Sequence, residues 1–220
     1  MTSLPKFFTS KKKTEFKKVP KTENMPDDYF RLLICGPSGS GKTNTLMHLL
    51  FAPLLWYDKI ILYAKNLDQP YYQELIRRFE KIANKLEVDL DSFIKVSNEE
   101  VEDIDEIDDD MQKIVIFDDY ICSDKDRDAI SKYFIGGRHK KCSVIYLTQS
   151  YYKTPKECRL NCSHYMIFDF PSKNERDLLC NELQVDKQDF VEATKDPYHF
   201  LYINRPKKKI FHCLDKILGK

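Results

Sequence analysis

Apolar residues along this chain gather in short unbroken runs. The runs alternate with stretches in which apolar positions recur every three or four residues. Residues 30–35 (FRLLIC) form one run that ends at a glycine; 59–64 (KIILYA), 113–117 (KIVIF), 143–148 (SVIYLT) and 164–170 (HYMIFDF) form others. Runs of this length read as strands covered on both faces. Between them the spacing predicts helices. One covers 43–52 and is closed by Pro53. A second covers 70–86, where Leu75, Ile76, Phe79, Ile82, Ala83 and Leu86 share a face. Others are expected over 124–135, stopped by Gly136-Gly137, and over 173–183 and 187–195. A short strand at 92–96 and a closing pair at 198–204 and 209–213 complete the pattern, with no internal repeat. Strands alternating with helices predict an α/β fold, a mostly parallel sheet with helices on both faces. In such sheets ligands bind at the carboxyl ends of the strands.

Three chemical motifs fall just after strands. Gly36-Pro37-Ser38-Gly39-Ser40-Gly41-Lys42-Thr43 follows the first run and opens a helix, the context a P-loop requires. Its glycines let backbone N–H groups turn toward phosphates. Lys42 places a positive charge on the β- and γ-phosphates, and the Thr43 hydroxyl is a Mg2+ ligand at the positive end of the helix, with Asn44 next in line. ATP with Mg2+ is the expected cofactor pair. Asp118-Asp119 ends the 113–117 run: Asp118 is assigned to the metal and Asp119 to orienting and deprotonating the attacking water. Gln149 ends the next strand, where it can hydrogen-bond the γ-phosphate or the water. Arg138, just after Gly136-Gly137, is a candidate finger for a neighbour's γ-phosphate; a surface ion pair or a DNA phosphate contact would use the same residue. Catalysis is thus expected to rest on Lys42, Asp119, Gln149 and Arg138.

Composition narrows the setting. Net charge is only +1, yet residues 1–24 hold seven lysines against Glu15 and Glu23. They read as a flexible basic tail, suited to phosphate contacts or to solubility alone. Residues 99–110 carry nine acids and read as a solvated loop. The seven cysteines are odd in number and scattered; Cys35, Cys122 and Cys142 lie in or beside apolar runs, as buried reduced thiols do. Cys158, Cys162 and His164 lack a second ligand pair of zinc spacing and read as free groups. Tyr151, Tyr152, Lys153 and His139 read as ordinary loop residues, with nucleic-acid or interface contact as the alternative. The run at 46–57 is broken by His48 and Pro53 and is too short to span a bilayer, so a soluble intracellular protein without membrane insertion is expected. The organisation expected is a tail over 1–28, a P-loop ATPase domain over 29–213 and a short tail over 214–220.

Taken together, LLICGPSGSGKT (32–43), KIVIFDDY (113–120) and GGRHKKCSVIYLTQS (136–150) resemble the poxvirus-type genome-packaging ATPases of the FtsK–HerA superfamily, a branch found in large DNA viruses, virophages and Polinton-like elements. The resemblance covers roughly residues 30–170. It implies an additional-strand P-loop NTPase that forms a homo-oligomeric ring, pentamer or hexamer, and drives double-stranded DNA into a preformed capsid at a portal-like vertex. The setting it implies is the host cytoplasm, in a viral factory, or the virion. Lys42, Thr43, Asp118, Asp119, Gln149 and Arg138 carry over to the roles given above. The wider superfamily has Glu where this chain has Asp119, one methylene shorter. A P-loop kinase and a non-hydrolytic nucleotide-gated capsid protein are the competing readings. The first would need a mobile lid rich in arginine, and the second has no use for the Asp118-Asp119 pair.

Overall fold

The computed structural model describes residues 24–26, 29–52, 54–120, 123–214 and 216–218. Among these residues nine strands form one sheet: β1 (Arg31–Cys35), β2 (Lys59–Ala64), β3 (Ile94–Ser97), β4 (Lys113–Asp118), β5 (Cys142–Thr148), β6 (His164–Phe168), β7 (Phe200–Asn204), β8 (Lys209–His212) and β9 (Lys216–Leu218). Their order is β3-β2-β4-β5-β1-β6-β7-β8-β9. The first six in that order pair in parallel, and β7, β8 and β9 add on antiparallel. The described residues also form six α-helices between the strands: α1 (Lys42–Phe51), α2 (Pro70–Leu86), α3 (Asp124–Gly136), α4 (Lys156–Asn161), α5 (Lys173–Leu183) and α6 (Lys187–Thr194).

The unbroken apolar runs have a simple cause. Successive strand residues point to opposite faces, and both faces are covered. In β1, Leu33 and Cys35 join one core with residues of α3, α5 and α6, while Leu32 and Ile34 join the other with residues of α1 and α2. On α2, Tyr72, Leu75, Phe79 and Ile82 form the buried stripe, and Pro70 sits in the first turn where its missing N–H costs nothing. Ser123, Ser172 and Asp186 cap α3, α5 and α6 through their side chains.

Several expectations need refinement. Helix α3 does end at Gly136-Gly137, with Gly137 as its C-cap, but both glycines keep right-handed backbone; the chain tightens into a 3-10 turn over Gly137–Lys140, and the left-handed residue is Lys141 at φ 53°. The acidic 99–110 segment is a loop whose acids mostly face solvent, as expected, but it is also a strap. Val101, Ile104 and Ile107 are buried pegs, and acids beside them pair outward, Glu100 with Lys125, Glu102 with Lys95 and Asp103 with Lys132. Counting charge hid those pegs. Residues within both expected tails join the fold. Asn24 bonds the Leu214 carbonyl and accepts from Tyr202, with Met25 buried beside it, and β9 lies within the segment taken as the C-terminal tail. The lysines at 1–23, together with Pro53 and Cys122, lie outside the described residues. Helix α4 has no counterpart in the sequence reading, since six residues hold too little periodicity to register.

Candidate active site

Strand order assembles the site. Strand β5 lies between β1 and β4, so three carboxyl ends, those leading to the P-loop, to Asp118-Asp119 and to Gln149, sit side by side. The Gly36 N–H donates to the Thr148 carbonyl at 3.1 Å, and the Asp119 N–H donates to the Leu147 carbonyl at 2.9 Å. A cleft of about 610 Å³ opens there, lined among others by Gly39, Lys42, Thr43, Asp118, Asp119 and Gln149.

The loop's glycines are used in two ways. A Cβ at Gly36 would lie 2.6 Å from the Phe168 Cβ and 2.8 Å from the Ser40 Oγ, so any side chain is excluded. Gly39 and Gly41 hold φ of 76° and 101°, the left-handed region that side chains disfavour. Gly41 is also the N-cap of α1, and no side chain among the described residues caps that helix. Its first N–H groups are left for an anion. The buried Ser40 hydroxyl likewise has no hydrogen-bond partner among the described residues. The loop thus fits a polyphosphate.

Lys42 is buried and folds back on its own loop, donating to the Gly36 and Pro37 carbonyls at 2.8 and 2.9 Å. Burial pulls its pKa below the usual lysine value; the carboxylates of Asp119 and Asp118 pull the other way. Asp118 accepts a 2.5 Å hydrogen bond from the hydroxyl of the fully buried Tyr72. Burial raises the Asp118 pKa, the Tyr72 bond opposes the rise, and neighbouring Asp119 adds to it. Asp119 stands at φ 48° and is gripped by Gln149, whose backbone N–H meets Oδ1 at 3.1 Å and whose side-chain amide meets Oδ2 at 2.7 Å. A non-glycine residue held left-handed at a strand end is local strain of the kind that gathers at functional sites. Thr43 and Asp118 together offer hard oxygen donors, the chemistry a Mg2+ ion takes.

Lys42, Thr43, Asp118, Asp119 and Gln149, separated by more than a hundred positions in the chain, therefore share one cleft. Arg138 does not join them. It is exposed on the turn before β5, at the amino end of the sheet, where the Lys141 carbonyl accepts from the Lys113 N–H. Seven residues of β5 separate that turn from Gln149, about 20 Å at ~3.3 Å per residue, beyond the reach of one side chain. Cys158, Cys162 and His164 do not converge as a metal cluster among the described residues, and Tyr151 is buried with its hydroxyl on Glu182. Tyr72 and Tyr198 went unnoticed in the sequence. Tyr72 falls on the buried stripe of α2, three positions before Leu75, so its place was legible but its bond to Asp118 was not. Tyr198, just before β7, packs over Gly41 from a segment far along the chain, and nothing local announces it.

Comparisons with known proteins agree with this geometry. The genome packaging NTPase B204 from Sulfolobus turreted icosahedral virus 2, solved with ATP-gammaS, superposes with a TM-score of 0.54 at 16% identity, over 88% of this chain and 98% of that one. Its complex with AMPPCP gives a TM-score of 0.55 at 16% identity, over 88% and 100%. The DNA-packaging ATPase B204 from Sulfolobus Turreted Icosahedral Virus gives 0.56 at 16% identity, over 88% and 98%. These likenesses establish the P-loop NTPase fold. No curated protein sequence matches the chain significantly. The model of the Poxvirus A32 protein family matches residues 16–198, and on that match over most of its length the chain belongs to the Poxvirus A32 protein family.

Proposed function

We propose that this chain is the ATP-hydrolysing subunit of a motor that drives double-stranded viral DNA into a capsid. The observation that carries the reading is the convergence of the P-loop, the Asp118-Asp119 pair and Gln149 at three adjacent strand ends, in a chain of the Poxvirus A32 protein family. Relatives of the fold are described as packaging NTPases and are bound to ATP analogues, which supports the same substrate here.

The backbone N–H groups of residues 38–43 cradle the phosphates, and Lys42 leaves its two loop carbonyls to meet the β- and γ-oxygens. Thr43 and Asp118 would hold Mg2+, which neutralises charge on the phosphate oxygens when bound. Tyr72 keeps the Asp118 carboxylate aimed and ionised. Asp119 takes the proton of the attacking water. Gln149 fixes Asp119 and, beside the γ-phosphate, senses its loss. Arg138 serves the cleft of a neighbouring copy in a ring, because its own cleft is out of range. The lysine-rich segment at 1–24 adds contacts to DNA phosphates. No helix among the described residues is long and apolar enough to cross a membrane.

The test is ATP turnover by the purified chain with and without double-stranded DNA, across protein concentrations. Turnover that rises with both is expected. Turnover indifferent to DNA at every concentration would leave a nucleotide-handling ATPase of another kind.

A further inference from the structure

Where β7 begins and β8 ends, three metal-binding side chains meet. His199, His212 and Cys213 place their ligand atoms within 4.8 Å of one another. The His212 Nε2 lies 2.9 Å from the His199 Nδ1, and the Asp196 carboxylate stands 3.6 Å from that same Nδ1. All three residues are half-buried. The sequence hides the cluster, because His199 and His212 are thirteen positions apart. Antiparallel pairing creates it: Leu201 opposes His212, and the Cys213 N–H donates to the Phe200 carbonyl at 2.8 Å.

We infer that His199, His212 and Cys213 form a zinc site, with Asp196 or a water as the fourth ligand. Two imidazole nitrogens facing each other at hydrogen-bond distance share a single proton, and a divalent cation can take its place. A bare histidine pair has no need of a thiol in the same sphere, whereas Zn2+ does use it. A set of two nitrogens and one thiolate favours Zn2+ and disfavours Mg2+. Around Zn2+, with bonds of about 2.0–2.3 Å, neighbouring donors stand roughly 3.3–3.6 Å apart. The histidine pair must open slightly and the thiol must close in. The site neighbours the nucleotide cleft. Tyr198, directly before His199, lines that cleft and packs over Gly41. Both Tyr198 and Cys213 hold left-handed backbone, at φ 67° and 52°. A bound ion would pin these two turns together and so hold Tyr198 against the P-loop.

The experiment is a titration of the full metal-free chain with Co2+ in excess Mg2+, followed by displacement with Zn2+. One equivalent of tetrahedral Co2+ with a thiolate-to-cobalt charge-transfer band is expected, and Zn2+ should bleach it. Cys213→Ser should remove that band, and His212→Gln should weaken binding about tenfold or more. A wild-type chain that takes up no stoichiometric Co2+ would overturn the site, as would a thiolate band that survives Cys213→Ser. If a variant fails to fold, the wild-type titration and the thermal shift on adding Zn2+ still decide: no band and no shift would refute it. None of these readouts depends on ATP hydrolysis.

Discussion

At the carboxyl end of β5, Gln149 enters a cleft that the chain builds for itself: Lys42 is buried, Asp118 is bonded by Tyr72, and Asp119 is clamped by Gln149. At the amino end of the same strand, Arg138 stands exposed on a 3-10 turn, with no cleft of its own within reach. One end of β5 is preorganised, and the other is a charged projection that needs something to meet. The difference teaches how the proposed catalysis divides. In the proposed mechanism, binding belongs to the single chain, and the last contribution to the transition state would come from a neighbouring copy.

Substitutions should separate the two ends. The largest effect is expected for Lys42→Ala, which should abolish ATP binding while circular dichroism and melting stay near wild type, since the lysine serves phosphate and not the core. Isothermal titration reads this directly, and ATP affinity at the wild-type level would remove the cleft from the account. Arg138→Ala should do the reverse. Turnover should fall by roughly 10³–10⁵, as fingers elsewhere contribute, with ATP affinity changed far less because the charge is needed at the transition state. Equal losses in affinity and turnover would make the two ends alike.

Within the cleft, Asp119→Asn should lower turnover by roughly 10²–10⁴ in a steady-state assay, the span typical of a positioned acid or base, with nucleotide affinity kept. A smaller effect is expected from Tyr72→Phe. The Tyr72 hydroxyl donates to Asp118 and favours its ionised form, against a burial that raises its pKa. Metal binding requires the ionised carboxylate. Removing the hydroxyl therefore raises the Asp118 pKa further, and Mg2+-dependent turnover should fail at a higher pH on the acid side. At neutral pH the Mg2+ requirement should rise about tenfold, since a hydrogen bond to a charged group contributes about 1.5–3 kcal/mol. An unmoved acid limb would reduce Tyr72 to packing alone.

Much of this was legible in the sequence because buried parallel strands and P-loops both write themselves locally. The bounds of β2, α2 and α5 follow from apolar spacing, and the β4 and β5 runs place Asp118, Asp119 and Gln149 at strand ends before any coordinates are known. What escaped depends on pairing between distant segments. The Tyr72–Asp118 bond spans 46 positions and Tyr198 lies far along the chain from Gly41, so neither contact leaves a local pattern. The acidic strap is solvated as its charge implies, but that charge masks the buried pegs Val101, Ile104 and Ile107, which recur every three residues. The glycine pair before Arg138 does mark the end of α3, but not through a left-handed residue. Glycine permits such a stop without requiring one, and Gly137 packs close to the Cys142 carbonyl, where a Cβ would lie 3.3 Å away.

The division of labour between the two ends of β5 is tested most directly by mixing two dead variants. An Arg138→Ala subunit keeps its own cleft, and a Lys42→Ala subunit keeps its own Arg138. Each alone should be nearly inactive. Combined in one ring, they can set an intact Arg138 beside an intact P-loop, and ATP turnover should recover in part as the proportions are varied. A mixture as inactive as its components, while co-assembly is shown by cross-linking or sedimentation, would contradict an arginine supplied from one copy to the next.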